Sequence, residues 1–439
     1  MTEYQREVLR CIDLEEIGMA DVAKTNTEKY RKGAFAVTVV GADGAPLKGA
    51  KLRFDLKNHD FKFGSTTFLA DTITKPQEAR LYRERFAKLF NQGVVAFYWR
   101  DDEPTEGHCR FKKDSPYIYR RPPADTALEF CKDVGAQPKG HNLIWQNDAI
   151  GIPDWAKDDQ EHLKSALIKR IRKIAEEYGD KIPVWDVTNE CTGFYNHHMP
   201  QGYDTLAWLL ATKLMSDNHL ILNDYACFFD DFRGPFSALY LQAQKLMAQG
   251  AKIDAVGMQY HLFEDKAGLL NKARHSNMLN ARHIYHVLDT YATLGTAMHV
   301  SEVTVPSHEG SAEGLELQAR MVENLYRLWF SHPAVGSIVW WNLADGFAFR
   351  HPSDPNWNEN AYGGGLLRHD LSAKPAYDVL DRLINTEWHT DEKTETGENG
   401  FASFSGFYGT YTVTVSHGGK ETHATVHFEK GKTNYTITV

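Results

Sequence analysis

Apolar residues recur at steps of three and four along several stretches of the chain, with short apolar runs between them. In QEARLYRERFAKLFNQ (77–92), Tyr82, Phe86, Leu89 and Phe90 share one face, which predicts an amphipathic helix closed by Gly93. EHLKSALIKRIRKIAEEYG (161–179) repeats the pattern through Leu163, Leu167, Ile171, Ile174 and Tyr178. DTALEFCKDVG (125–135), with Asp125 as N-cap, and stretches near 204–217, 235–249, 275–294, 312–331 and 374–386 predict further helices. The intervening runs have strand character: FKFGST (61–66), VVAFYW (94–99), AQPKGH (136–141), PVWDVT (183–188), HLILND (219–224), IDAVGMQ (253–259), TAMHVSE (296–302) and VGSIVWWN (335–342). AQPKGH has the weakest strand pattern and is carried by its place in the series. Eight strands each followed by a helix predict an α/β fold, a closed parallel (β/α)8 or TIM barrel with its helices outside. A doubly wound sheet alternates similarly, but no GxGxxG follows the first strand.

Both ends of the chain change period. Residues 33–56 alternate with period two around the turn signal ADGAP, and residues 400–439 do the same around HGG and EKGK. Neither piece has enough strands to stand alone. Their DGAPLKGA and NGFASFSGFYGTYTVTV patterns together resemble the carboxypeptidase-regulatory-like sandwich. The organisation expected is therefore an N-terminal extension (1–32), an accessory β-sandwich built from 33–57 plus 388–439, and a catalytic barrel (58–387). The alternative is two unrelated β appendages.

Composition narrows the partners. A net charge of −9 argues against nucleic acid or an anionic membrane, and no window of about 18 apolar residues exists to span one. The first 20 residues scatter charges and lack an apolar core, so they do not read as a signal peptide. The expected location is cytoplasmic as written, or secreted if a leader has been removed. Cys11, Cys109, Cys131, Cys191 and Cys227 are odd in number and without a CxxC pair, which favours reduced thiols over a disulfide or zinc framework. The paired histidines of NHHM (196–199) lack a third ligand at suitable spacing, so no metal is expected. Aromatic residues make up 12% of the chain, enough to line a binding surface.

In parallel barrels, chemistry sits where strands end. WDVTNE (185–190) ends one strand with Asn189 and Glu190 side by side, and HVSEVTVPS places Glu302 at the end of another. His141, Asn223, Asp224, Gln259, His261, Asn342 and Asp345 occupy similar positions. Two carboxyl groups across a barrel mouth suit glycosidic bond cleavage. One, protonated, donates to the leaving oxygen, and the other, ionised, stabilises or captures the oxocarbenium-like centre. Asn189 would donate to a sugar 2-hydroxyl, and Trp145, Trp341 and Tyr260 would offer flat apolar faces to sugar rings.

HNLIWQ (141–146), WDVTNE, LILNDY (220–225), GMQYH (257–261), VSEV (300–303), VWWNLAD (339–345) and LLRHDLSAKPAY (366–377) resemble glycoside hydrolase family 10, in order and spacing, over roughly residues 59–385. The resemblance implies a retaining endo-β-1,4-xylanase-like enzyme with a (β/α)8 barrel, no cofactor, and a β-linked glycan as partner. It implies Glu190 as acid/base and Glu302 as nucleophile. His141, Trp145, Asn189, Gln259, His261 and Trp341 would surround the sugar, with His261 bonded to Glu302 and helping to keep it ionised. An exo-acting β-glycosidase of the same clan and a non-catalytic carbohydrate-binding barrel remain alternatives.

The chain departs from that family at several points. Where the family has an Asn-Glu-Met-Lys-Trp-like run, this chain has VAFYW (95–99), so Tyr98 stands where the lysine would be. A tyrosine offers one hydroxyl and a stackable ring in place of a charged three-donor head, which implies altered glycone recognition. Gln146 replaces a usual His after Trp145, and Val303-Thr304 replaces Leu-Asp after Glu302. Asp101 and Asp102 either restore lost polar contacts or are solvated loop acids. His59 lies near the cleft or packs, and Cys191 packs.

Overall fold

The computed structural model describes residues 1–193, 198–225, 233–308, 311–351, 354–355 and 357–439. The chain opens with two helices, Glu3–Leu9 and Ala20–Arg31, where the apolar pattern predicted none. Thr2 and Gln5 cap the first reciprocally. Gln5 also donates to the Glu313 carbonyl at 3.0 Å, fixing this arm to the barrel helix Ala312–Ser331.

Strands β1 (Lys32–Val40) and β2 (Lys51–His59) come next. Eight barrel strands follow: β3 (Lys62–Thr66), β4 (Gln92–Ala96), β5 (Gln137–Trp145), β6 (Val184–Asn189), β7 (His219–Asp224), β8 (Ala255–His261), β9 (Ala297–Thr304) and β10 (Val335–Trp340). They pair in the order β10-β3-β4-β5-β6-β7-β8-β9 and close, since β10 pairs in parallel with both β3 and β9. Every residue of β4 and β6 is buried, as expected of strands sealed between a filled interior and a helix layer.

The helices depart from the sequence reading in places. The stretch near 275–294 holds the helix Ala281–Ala292, capped by Asn280 through His283 N, and a further helix that the apolar pattern did not predict, Lys266–His275, precedes it. Asp125 is not the cap of Ala124–Asp133; Pro123 holds that position, and Asp125 accepts from the Tyr178 hydroxyl at 2.9 Å. The second barrel strand begins two residues earlier than predicted and stops at Ala96. Gly93 therefore lies inside β4 rather than closing a helix. Its lack of a side chain matters there, because a Cβ would come within 2.6 Å of Cys131 Sγ. The aromatic run then leaves the ladder as a short helix, Trp99–Asp102.

Strands β11 (Asp391–Glu395), β12 (Phe401–Phe407), β13 (Gly409–His417), β14 (Lys420–Phe428) and β15 (Asn434–Thr438) complete the chain. They form the sheets β12-β1-β15 and β11-β2-β13-β14. Each sheet mixes strands from both ends of the chain, so the two halves make one sandwich interrupted by the barrel. Period-two alternation turns Tyr411, Val413 and Val415 of β13 inward. Phe54 stacks on Phe404 across the sheets, with centroids 3.8 Å apart.

The sandwich meets the barrel where its strands begin. Trp388 stacks on Phe330 at 4.0 Å and on Phe63 at 5.8 Å, and Phe407 joins them. His59 packs among Phe63, Phe330 and Phe407 at this end, so it is a core residue rather than a cleft residue. Among the described residues no helix is long and apolar enough to cross a membrane.

Candidate active site

The polar residues predicted at strand ends converge at the opposite mouth. A cavity of about 310 Å³ is lined by the two expected catalytic residues, Glu190 and Glu302, and by Tyr98, His141, Trp145, Asn189, Gln259, His261 and Trp341, whereas Asn223, Asp224, Asn342 and Asp345 do not line it. Glu190 follows β6 and Glu302 lies near the end of β9, three strands away around the barrel. A larger cavity, about 570 Å³, lies under the N-terminal arm and contains none of these residues.

Glu302 is buried and held from several sides. Asn223 Nδ2 donates to Oε1 at 2.9 Å and also to Asn189 Oδ1 at 2.7 Å, so one amide links the strand ends of β6, β7 and β9. Asn223 fits because β8 carries Gly257 beside it. A Cβ on Gly257 would stand 2.3 Å from Asn223 Oδ1. His261 Nε2 lies 3.1 Å from Glu302 Oε2, and His261 Nδ1 lies 2.9 Å from Thr304 Oγ1. Burial pushes the His261 imidazole down to about 4, so at neutral pH the ring is uncharged. The neutral tautomer that suits both contacts donates from Nε2 to the carboxylate and accepts from the Thr304 hydroxyl.

Burial raises the Glu302 carboxyl to about 7. His141 opposes that rise, nearby Asp186 adds to it, and Lys139 and the Asn223 bond oppose it. Behind Glu302 runs a buried charge chain. His141 Nδ1 is 2.8 Å from Asp186 Oδ2, Lys139 Nζ is 3.0 Å from the same oxygen, and His141 Nε2 is 3.9 Å from Glu302 Oε1. Burial alone would raise Asp186, but Lys139 and His141 hold it below the usual carboxylate range.

Glu190 is held differently. It has φ 55°, a left-handed conformation uncommon outside glycine and often found at functional sites. Its N–H donates to the Asn223 carbonyl at 2.9 Å, and its own carbonyl accepts from Gln146 Nε2 at 2.8 Å. The Tyr203 hydroxyl secures Gln146 in turn at 2.6 Å. Gln146 therefore fixes the backbone under Glu190. Gln259 Nε2 reaches Glu190 Oε1 at 3.0 Å. Asp224, next to Asn223, accepts from Thr192 N and Tyr225 N; burial raises its carboxyl to about 7, and the Glu190 charge adds to the rise.

The aromatic wall comprises Trp145, Trp341, Tyr98 and also Phe68, Phe263, Phe349 and Trp357. Tyr260 does not join it. One residue along a strand reverses the face, so Gln259 and His261 point inward while Tyr260, 0% exposed, packs on Trp329 and donates to the Met278 carbonyl. Phe349 and Trp357, eight residues apart outside the regular strands and helices, carried no signal for the wall, because such spacing does not encode facing.

Sequence reading missed Arg120 and Arg121, which line the same cavity from a loop, and Glu359, which lines it from the start of the short helix Glu359–Tyr362. Arg121 lies over the Tyr98 ring at 3.7 Å and pairs with Asp101 at 3.0 Å. Asp102 is buried against Arg170 at 3.4 Å. Neither aspartate lines the cavity or is freely solvated. In NHHM, Asn196 and His197 lie outside the described residues, and His198 pairs with Asp148 at 2.9 Å. No cluster of three metal-ligating side chains occurs among the described residues. Cys191 accepts from the Tyr203 hydroxyl at 3.3 Å, and Cys227 lies outside the described residues.

Carboxylates, amides, imidazoles and aromatic faces at the carboxyl mouth of a (β/α)8 barrel define the class of barrel glycoside hydrolases. Residues 56–382 match glycosyl hydrolase family 10, and the chain belongs to that family. It is 26% identical over 413 residues to an endo-1,4-beta-xylanase 5-like protein of Arabidopsis thaliana, covering 89% of this chain and 63% of that protein. It is 25% identical over 432 residues to anti-sigma-I factor RsgI6 of Acetivibrio thermocellus, covering 95% of this chain and 48% of that protein. The chain thus spans about half to just under two thirds of these relatives. Among solved structures, xylanase 10B from Thermotoga maritima shares the fold with a TM-score of 0.57 at 20% identity, over 75% of this chain and 96% of that one.

Proposed function

We propose that the protein is a retaining glycoside hydrolase acting on a β-linked, xylan-type glycan, with Glu190 as acid/base and Glu302 as nucleophile. The observation that carries this reading is the convergence of both glutamates on one cavity with unequal support. Glu302 is fastened by Asn223 and His261, as a group that must attack from a fixed position needs. Glu190 is met by Gln259 at the cavity wall.

In the first step Glu302, ionised, bonds to the anomeric carbon while the glycosidic C–O bond breaks and Glu190 gives its proton to the leaving oxygen. Glu190 then takes a proton from water, the hydroxide oxygen bonds to the anomeric carbon, and Glu302 is released. Retention by this route asks for carboxyl groups roughly 5–5.5 Å apart. Asn189, whose Oδ1 is occupied by Asn223, has its Nδ2 to offer a sugar hydroxyl. With the Glu302 carboxyl near 7, kcat/KM should rise as pH approaches 7 from below. Tyr98, roofed by Arg121, supports glycone recognition that differs from a lysine-bearing cleft.

Trapping with a 2-fluoro β-xyloside tests the chemistry. A covalent sugar on the peptide bearing Glu302, found by mass spectrometry, is the expected result. A second reading, a barrel that binds glycans without turning them over, rests on Tyr98 standing where the family has a lysine. Glycan binding without any adduct or product would establish that second reading instead.

A further inference from the structure

The cavity holds a cation for which the two-glutamate chemistry has no use. Arg120 is 3% exposed, yet it lines the cavity beside Phe68 and Tyr98. Its Nη1 donates to the Phe347 carbonyl at 2.7 Å, while its Nε is buried with no hydrogen-bond partner among the described residues. The guanidinium stands 5.3 Å from the Phe68 ring centroid. Neither nearby acid forms an ion pair with it. Asp101 pairs with Arg121, and Glu359 accepts from Asn342 Nδ2 at 2.8 Å. Glu359 acts on Arg120 through space, but the two form no ion pair within 4 Å. Arg120 also has φ 61°, so the loop holds it in a left-handed conformation that costs energy for a residue other than glycine.

A guanidinium stays charged in proteins, and a buried charge lacking an ion-pair partner is costly unless something else supplies the partner. Burial opposes its charge here, as it lowers the Arg120 affinity for its proton. Hydroxyl groups of a neutral sugar would satisfy donors but not charge. A carboxylate satisfies both, through a planar pairing that suits arginine better than lysine.

We infer that Arg120 recognises a carboxylate on the glycan, so that the substrate class is an acidic, uronic-acid-bearing β-linked oligosaccharide. This rests on the proposed glycan-cleaving site and names the substrate feature it selects. Trp341 and Tyr98 would flank the neutral sugar rings, while the acidic group reaches past Phe68 to the arginine.

Binding separates this inference from the hydrolase reading. Calorimetry on full-length protein carrying Glu302→Ala would use xylotetraoses with one glucuronic acid branch at each possible position. Each would be compared with its twin in which the carboxyl is reduced to the alcohol. At least one acidic member should bind about tenfold more tightly than its twin. The preference should persist in 1 M salt, because a buried pair is weakly screened. It should fall to near unity in Arg120→Gln and return in part in Arg120→Lys. Equal binding of every pair overturns the inference, and so does a preference that salt abolishes or that survives Arg120→Gln. Turnover by the wild type is scored apart. Preference without cleavage defeats the hydrolase reading and leaves the carboxylate site standing, while cleavage without preference does the reverse.

Discussion

The two ends of the barrel each set an arginine among aromatic rings, and they treat it in opposite ways. At the end where the strands begin, Arg31 donates to the carbonyls of Phe330, His332 and Val335 at 2.5, 2.5 and 2.7 Å and lies over the rings of Phe61 and Phe330. At the mouth where the strands end, Arg120 has one carbonyl and a buried nitrogen left over. The first guanidinium spends its donors on the interface between arm, sandwich and barrel. The second is incomplete, as is Trp145, whose indole nitrogen is buried without a hydrogen-bond partner among the described residues. Native interiors rarely leave such donors orphaned, and both of these border the cavity at the carboxyl mouth.

That contrast breaks most visibly at Glu302. Glu302→Ala should lower turnover by more than about 10⁴-fold while the unfolding midpoint stays close to wild type, since removing a buried carboxyl relieves its desolvation. Rates within tenfold of wild type would take Glu302 out of the mechanism. At the other end, Arg31→Met should cost about 2–4 kcal/mol in urea unfolding, because three buried carbonyls lose their donor. Its kcat/KM should stay within about twofold of wild type. A large activity loss without a stability loss would show that the two ends are coupled rather than divided.

The smallest effect sharpens the mouth itself. Thr304 faces His261 Nδ1 and leaves that ring neutral. In Thr304→Asp a carboxylate facing Nδ1 would favour imidazolium, and a cation beside Glu302 would favour its ionised form. Burial raises Glu302 to about 7 in the native chain. The acid limb of kcat/KM should therefore move to lower pH, by about one unit. His141, Lys139, Asp186 and Asn223 also face Glu302 and are unchanged in this variant. A limb that stays in place or moves up would show that His261 does not govern the ionisation of Glu302.

Much of this was legible in the residues. Helical periodicity marked Leu163, Leu167, Ile171, Ile174 and Tyr178 as one buried face, and all five are buried. Polar residues ending apolar runs pointed to His141, Asn189, Glu190, Gln259, His261 and Glu302, while Trp145, Trp341 and Tyr98 came from their aromatic character and from the family resemblance. The second strand was misplaced because VVAFYW is apolar throughout, and hydrophobicity alone cannot say where a ladder stops. The arm helices escaped because their buried faces are small. The first contributes Gln5, Val8 and Leu9, and the second buries Ala23 and Thr27.

Local sequence determined the strand–helix alternation, the strand-end carboxylates and the split sandwich pattern, since periodicity and turn chemistry act over a few residues. Tertiary structure alone decided that Asn223 ties Glu302 to Asn189, that Gly257 makes room for it, and that Tyr260 faces the helices. It also decided that a loop arginine enters the cavity without an ion-pair partner. Those outcomes depend on which strands become neighbours and which way each side chain faces, and both are set only when the barrel closes.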